Sequence, residues 1–174
     1  MLSIRINLVL LCAIALQSIY AIENGDQMPN FRLKGTDGKI HDSDMFASWP
    51  LLAIVFISNH CPVSQSFQEE LLLLEKDFAA KGFKLIAVSP NDPQATPPDE
   101  LAFSDLGDSY AEMKIRAKDL NYTFPYLYDG SSQDVSRAFG VRVTPHAYLF
   151  DVKRSLRYSG RIGDSKNRSN RNRQ

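Results

Sequence analysis

Cysteine is scarce in this chain, since only Cys12 and Cys61 among its 174 residues carry a thiol. The sequence also contains no phosphate-binding glycine loop, no zinc-ligand motif and no haem-attachment motif, so it gives no support to those chemistries. Hydrophobic residues make up 44% of the chain and charged residues 23%, which fits one globular domain of ordinary composition. No internal repeat and no second domain is indicated.

The N-terminal segment has the layout of a secretory signal peptide. Arg5 precedes an almost wholly apolar stretch over residues 8–16, and the segment ends on the small residue Ala21. The apolar stretch is too short for a comfortable membrane span. We therefore expect a signal peptide over residues 1–21 and an exported, periplasmic or extracytoplasmic protein with no stable membrane span after cleavage. An uncleaved N-terminal anchor is the alternative.

Net charge is absent as well, because 20 Lys and Arg balance 20 Asp and Glu, but the two signs are unevenly spread. Residues 153–174 contain eight basic residues and one acid, while the body over residues 22–152 is acidic. The stretch 164–174 has no apolar residue and is predicted to be a disordered basic tail. No aromatic residue separates its arginines, so a nucleic acid is not an expected partner.

The hydrophobic pattern predicts an α/β domain over residues 22–163. An Asp37-Gly38 turn between short apolar segments predicts a β-hairpin near its N-terminus. The continuous apolar run 51–57 predicts a central strand that is buried on both faces. A helix starting at Pro62 and ending near Gly82 follows, with a second strand over residues 83–89. The residues expected on the inward face of this helix are Phe67, Leu71, Leu74 and Phe78.

Four further elements are expected downstream of a proline-rich stretch. Residues 90–98 contain four prolines and predict an irregular surface loop at the carboxyl edge of the sheet, where ligands of α/β folds usually approach. Beyond it the pattern predicts helices over residues 110–120 and 134–139 and antiparallel strands over 147–150 and 156–158.

The surroundings of Cys61 predict a reactive thiolate. The cysteine follows the apolar strand and directly precedes Pro62, which is suited to the first position of a helix. At such an N-cap the sulfur would face the unpaired N–H groups of Val63 and Ser64, and His60 could add positive charge. The alternative is a buried, inert cysteine, since free cysteine packs like a small hydrophobe.

Several spaced motifs resemble the thioredoxin-like redoxins, a group that includes the TlpA and ResA thiol-disulfide proteins and the AhpC/TSA peroxiredoxins. The segment Cys61-Pro62-Val63-Ser64 after a strand resembles their active-site motif, and the segment 143–150 resembles their second conserved region. The segments 59–62, 89–92, 124–129 and 156–161 are similar to a subgroup of exported members. The resemblance implies an α/β thioredoxin-like fold in which helices flank a central mixed β-sheet. An N-terminal β-hairpin precedes that fold, and the C-terminal helix that normally covers one sheet face is not apparent.

The resemblance also implies the layout of the site. Cys61 would be the catalytic residue, supported by Pro62, by the serines and by His60. The peptide bond Thr144-Pro145 is expected to be cis and to lie opposite Cys61, where the backbone of Thr144 could pair with an incoming peptide or thiol. The serines that would support Cys61 are Ser58 and Ser64.

Ser58 and Ser64 depart from the family pattern, because both stand where relatives carry a second cysteine. Two features of peroxiredoxins are also missing, since Ile54 takes the place of a proline and Pro145 that of the activating arginine. Arg142 is nearby in the sequence. We therefore expect a monothiol redoxin whose substrate is a disulfide or a peroxide. An external thiol, from a thioredoxin-like protein or a small molecule, would resolve the mixed disulfide or sulfenic acid that forms on Cys61.

Thiol-disulfide exchange ranks above peroxide reduction, because an exchange needs only access to Cys61 and the cis-proline ledge. A catalytically impaired binding module of the same fold is the second hypothesis, motivated by the loss of both possible resolving cysteines. The chain has three histidines, His41, His60 and His146, but only one thiol beside them, which argues against a metal site. No metal and no other cofactor is expected.

Overall fold

The structure is a computed structural model that describes residues 21–102 and 104–163. The predicted signal peptide, except for Ala21, and the predicted basic tail 164–174 lie outside the described residues. The prediction that the C-terminal helix of the fold is missing also falls outside the described residues.

Seven strands and five α-helices make up the described chain. The strands are β1 (Arg32–Gly35), β2 (Ile40–Asp42), β3 (Leu51–Phe56), β4 (Phe83–Ser89), β5 (Tyr126–Tyr128), β6 (His146–Phe150) and β7 (Leu156–Gly160). The helices are α1 (Pro62–Ser66), α2 (Gln68–Phe78), α3 (Pro98–Leu101), α4 (Tyr110–Asp119) and α5 (Asp134–Phe139). Short 3-10 turns cover Ser43–Phe46 and Ala79–Lys81. Within the described range, none of these helices has the length and apolarity needed to cross a membrane.

All seven strands form one mixed sheet in the order β2-β1-β5-β4-β3-β6-β7. β3 pairs in parallel with β4, and β4 with β5, while the remaining pairs are antiparallel. Parallel pairing of β3 and β4 makes the predicted succession of strand, helix and strand a βαβ unit. The central mixed sheet flanked by helices confirms the predicted thioredoxin-like fold, including the N-terminal hairpin of β1 and β2.

The sheet separates two hydrophobic clusters, so its central strands β3 and β4 are buried on both faces. One cluster includes Leu52, Ile54 and Phe56, and the other includes Val55 and Leu85. The uninterrupted apolar run of β3 therefore reflects its central place in the sheet. β3 ends at Phe56, and the loop that follows it carries Cys61.

The single long helix predicted after Cys61 is wrong in its continuity and in the inward position of Phe78, while Phe67, Leu71 and Leu74 face the core as predicted. The helix is interrupted at Phe67, which has φ of −101° and ψ of −2° and separates α1 from α2. Phe67 is buried as expected, but Phe78 is 42% exposed and Glu75 is only 5% exposed. The Glu75 carboxylate accepts hydrogen bonds from Lys84 Nζ at 2.5 Å and from the backbone N–H of Leu85 at 2.8 Å. The buried ion pair of Glu75 and Lys84 thus lies on the inward side of α2, where the helical periodicity had predicted Phe78.

The proline-rich segment is irregular as predicted, except at its end. Pro98 occupies the first turn of the short helix α3, where the missing N–H of proline costs no hydrogen bond. Helix α4 begins at Tyr110 as predicted, with a capping box between Ser109 and Glu112. The antiparallel pair β6 and β7 also confirms the prediction.

Candidate functional site

Cys61 lies at the carboxyl edge of the sheet, between β3 and α1. It is the N-cap residue of α1, and Pro62 is the first helical residue, as the sequence predicted. The cysteine is partly exposed and is the free thiol of the described chain. A thiol that is both positioned by regular structure and open to solvent can meet a substrate.

The sulfur of Cys61 does not accept a hydrogen bond from the first turn of α1, which corrects the sequence-based expectation. No side-chain hydrogen bond caps the helix, so the N–H groups of Val63 and Ser64 are not its partners. The sulfur instead lies 3.5 Å from the backbone carbonyl oxygen of Thr144, to which the thiol donates. The side chain is therefore turned toward the segment that enters β6.

The Thr144-Pro145 peptide bond is cis, as the family resemblance implied. Antiparallel pairing aligns His146 of β6 with Phe56 of β3, which brings Thr144 beside the loop that follows β3. The hydroxyls of Ser58 and Thr144 are hydrogen bonded at 3.0 Å. Thr144 thus contacts both Ser58 and Cys61 and joins the two halves of the site.

Ser64 is a buried structural residue. It is 1% exposed, and its Oγ accepts a hydrogen bond from the backbone N–H of Ser58 at 3.3 Å. Its hydroxyl therefore links α1 to the loop before Cys61. The position that holds a resolving thiol in dithiol relatives here holds a hydroxyl that cannot form a disulfide.

His60 lies in the site, but its ring is held by acids. Nδ1 is 2.5 Å from Asp108 Oδ2, and Nε2 is 3.3 Å from Glu100 Oε2. Two carboxylates compensate any positive charge on the imidazole. That His60 adds positive charge near Cys61 stays a prediction, and any such charge would be shared with Asp108 and Glu100.

Asp108 is the functional-site residue that sequence reasoning missed. Its side chain is fully buried and accepts hydrogen bonds from the backbone N–H of Asn59 at 2.6 Å, from His60, and from Asn91 Nδ2 at 2.7 Å. One carboxylate therefore ties together the loop before Cys61 and the loop after β4. The only sequence signal was the Ser109–Glu112 capping box, which fixes a helix start directly after Asp108.

Asn59 extends this buried network toward the centre of the sheet. Its Nδ2 donates to the carbonyl oxygen of Gly107 at 2.7 Å, and its Oδ1 accepts from the Tyr126 hydroxyl at 3.2 Å. Burial raises the pKa of Tyr126 well above its usual value, so the hydroxyl remains a donor. The backbone on the N-terminal side of Cys61 is thus fixed from three directions.

A cleft of about 570 Å³ is lined by His60, which precedes Cys61 in the chain, and by Thr144, whose carbonyl contacts the sulfur, although Cys61 itself is not on the lining. Its walls are the loop after β4, α3, α5 and the segment that leads to Thr144. Charged and polar residues on its lining include His60, Asp92, Glu100, Arg137, Arg142 and Thr144. Arg142, which the sequence placed near the missing peroxiredoxin arginine, is exposed on this lining.

The three histidines have separate partners. His41 Nε2 is 3.1 Å from Asp37, and His146 Nε2 is 2.9 Å from Ser159 Oγ. Among the described residues, no group of three or more His, Cys, Asp or Glu side chains is arranged to hold a metal ion.

The fold and the surroundings of Cys61 define a thioredoxin-like redoxin. The sequence matches the AhpC/TSA family over residues 24–159, and the chain belongs to that family. It is similar to a hypothetical protein from Sinorhizobium meliloti 1021, with 32% identity, a TM-score of 0.74 and coverage of 84% of this chain and 74% of that one. An uncharacterized conserved protein from Geobacillus kaustophilus is 35% identical, with a TM-score of 0.73 and coverage of 82% and 71%.

A more distant structure shares the fold. It is a thiol:disulfide interchange protein of the thioredoxin family from Chlorobium tepidum TLS, 17% identical, with a TM-score of 0.63 and coverage of 87% of this chain and 95% of that one. No functionally curated protein matches the sequence. The family is therefore AhpC/TSA, and the fold is thioredoxin-like.

Proposed function

We propose that this protein is an exported monothiol oxidoreductase that exchanges disulfides through Cys61 and depends on an external thiol to complete its cycle. The observation that carries the proposal is the position of the Cys61 sulfur. It is partly exposed, it lies 3.5 Å from the Thr144 carbonyl before a cis proline, and the described residues contain no second cysteine.

The chemistry takes two balanced steps. The Cys61 thiolate attacks one sulfur of a substrate disulfide, forms a mixed disulfide with that sulfur, and releases the other as a thiolate. An external thiolate then attacks the substrate sulfur of the mixed disulfide. This step restores the Cys61 thiolate and releases a new disulfide, so no net oxidation of the protein occurs.

The residues around Cys61 act as a rigid support. Ser58 and Thr144 are joined through their hydroxyls, and Ser64 is joined to the backbone of Ser58. Asp108 holds Asn59 and His60 from the other side. Positioning of this kind keeps the sulfur in one place while the substrate approaches, which favours in-line attack on a disulfide.

Peroxide reduction ranks lower. A peroxidatic thiolate needs donors that stabilise charge on the breaking O–O bond. His60 is held by carboxylates, and Arg142 lies on the cleft without a described contact to the sulfur. Disulfide exchange places no such demand on the site, because its leaving group is itself a stable thiolate.

Export rests on the sequence of residues 1–21, whose apolar stretch and terminal Ala21 are typical of a cleaved signal. An exported monothiol protein would take its resolving thiol from a thioredoxin-like partner or from a small molecule outside the cytoplasm. N-terminal sequencing of the secreted form tests this part: a start at Ile22 supports it, and an intact Met1 in the cytoplasm contradicts it.

Turnover of hydroxyethyl disulfide in the presence of a small thiol tests the catalytic part. The protein should accelerate exchange, and Cys61→Ser should reduce the rate to the uncatalysed background. Equal rates for the two proteins would leave only the alternative, a thioredoxin-fold binding module. Replacing the disulfide by hydrogen peroxide in the same assay compares the two substrate classes directly.

A further inference from the structure

The cleft lined by His60 and Thr144 contains one charged side chain, Arg142, that has no partner among the described residues. Arg142 is exposed and lines the cleft two residues before Thr144, whose carbonyl oxygen contacts the sulfur. Over residues 21–102 and 104–163 it forms no hydrogen bond and no ion pair with another side chain or with the backbone. Its guanidinium group is free to bind a ligand.

The other charged side chains of the cleft have partners, which are charged groups for Arg137 and Glu100 but only a backbone N–H for Asp92. Arg137 Nη2 is 2.5 Å from Asp134 Oδ1, and Glu100 Oε2 is 3.3 Å from His60 Nε2. Asp92 Oδ1 accepts a hydrogen bond from the backbone N–H of Gln94 at 3.0 Å. Arg142 therefore contributes the uncompensated positive charge on the cleft wall next to Thr144.

The dimensions of the cleft suit a small molecule. Its volume of about 570 Å³ falls within the range of ligand sites, roughly 300–1,000 Å³. A guanidinium group can donate two parallel hydrogen bonds to a carboxylate, which fixes the orientation of the bound group. A ligand anchored in this way would extend from Arg142 along the lining toward Thr144 and the sulfur.

We propose that the substrate of Cys61 is a low-molecular-mass disulfide that carries a carboxylate, and that Arg142 binds this carboxylate. The inference rests on the proposed exchange function and assigns its substrate class. In the first step Cys61 forms a bond to the bound sulfur, the S–S bond of the substrate breaks, and the second half leaves as a thiolate. The half that remains on Cys61 keeps its carboxylate at Arg142 until an external thiol removes it.

Three small disulfides of similar length and different charge test the proposal. Dithiodiglycolate is anionic, hydroxyethyl disulfide is neutral and cystamine is cationic. The full-length chain with Cys12→Ser, so that Cys61 is the sole thiol, is mixed with an excess of each. The rate of mixed-disulfide formation is followed by mass spectrometry, and the measured quantity is the ratio of the anionic to the neutral rate.

The expected result is a preference for dithiodiglycolate that falls about fivefold in Arg142→Gln, which corresponds to the loss of an exposed ion pair. Arg142→Lys should retain most of the preference, because it keeps the charge. Raising the salt concentration to about 0.5 M should weaken the preference in the parent protein, since salt screens exposed charges. The matched control is Arg157→Gln, because Arg157 lies on β7 and pairs with Asp151 outside the cleft lining.

Two failures remain distinguishable. If all three disulfides react with Cys61 and Arg142→Gln leaves the ratio of rates unchanged, the substrate assignment is wrong while the exchange function stands. If the folded protein reacts with none of them and the unfolded protein reacts with all, the exchange function itself is wrong, and the substrate assignment is wrong with it.

Discussion

The backbone N–H of Asn59 donates a 2.6 Å hydrogen bond to the carboxylate of Asp108, which lies 49 residues further along the chain and is 1% exposed. This bond fixes the backbone two residues before Cys61 through a tertiary contact. The position of the thiol therefore depends on the loop before α4 as well as on its own strand and helix. Asp108 is a positioning residue in this account.

Replacing Asp108 by Asn should destabilise the fold and slow the thiol. The carboxylate accepts from three donors, so an amide in its place would set an N–H group against another donor. We expect a loss of about 3 kcal/mol in the free energy of unfolding, measured by urea denaturation. The rate of mixed-disulfide formation at Cys61 should fall as well.

The control for Asp108 is Asp105→Asn, because Asp105 belongs to the same loop but its exposed carboxylate pairs with Arg116 at the surface. Its effect on stability and on the rate at Cys61 should be far smaller. Equal effects of the two substitutions would contradict the positioning role.

Replacing Glu75 by Gln should also be costly, for a reason unrelated to the active site. The carboxylate is buried between Lys84 and the backbone N–H of Leu85, and its loss leaves the Lys84 ammonium without its counter-charge. A loss of about 3 kcal/mol in the free energy of unfolding is expected, with an unchanged rate at Cys61. Glu69→Gln, an exposed change on the same helix, is the comparison and should cost little.

Replacing Ser64 by Cys should let the protein resolve its own mixed disulfide. The introduced thiol would attack the Cys61 sulfur, form an internal disulfide and release the substrate half as a thiolate. Mass spectrometry should then show an adduct that decays without added thiol. Ser66→Cys, in which the new thiol lies on the exposed side of α1, should keep the adduct. Persistence of the adduct in a folded Ser64→Cys protein would show that the two positions cannot react.

Stability should fall in mild acid because of His146. Burial lowers the pKa of His146 below its ordinary value of 6.5, since desolvation disfavours the imidazolium ion. The folded state then takes up the proton less readily than the unfolded state, so the contribution of His146 is complete above that value and declines as the pH drops below it.

His146→Gln removes this titration and can still donate to Ser159. The measured quantity is the difference in free energy of unfolding between the parent and this variant, which should shift against the parent between about pH 7.5 and about pH 5.5. A difference that is constant with pH, or that favours the parent in acid, would contradict the assignment.

Most elements of the fold could be predicted from local pattern. The hairpin at Asp37-Gly38, the buried strand β3 and the helix starting at Pro62 each have a signal within a few residues. The break at Phe67 and the inward turn of Glu75 could not be predicted, because both depend on what α2 packs against. Periodicity describes a straight helix and contains no information about a buried partner such as Lys84.

The site followed the same division. Cys61, Pro62 and Thr144-Pro145 were identified from their motif, and the cis bond was expected from the family. The direction of the sulfur and the partners of His60 were not, since both depend on residues 40 to 83 positions away. Asp108 escaped notice for this reason, because nothing adjacent to it in sequence marks a contact with the cysteine loop.

The central claim is that Cys61 reacts with a disulfide and then waits for an external thiol. The most direct measurement uses the Cys12→Ser chain with excess hydroxyethyl disulfide and no added thiol, followed by intact-mass spectrometry and peptide mapping. One mixed disulfide per chain is expected, located on Cys61, which is stable until a small thiol is added and then disappears with recovery of the free cysteine. Absence of the adduct in the folded protein, or continued turnover without any added thiol, would contradict it.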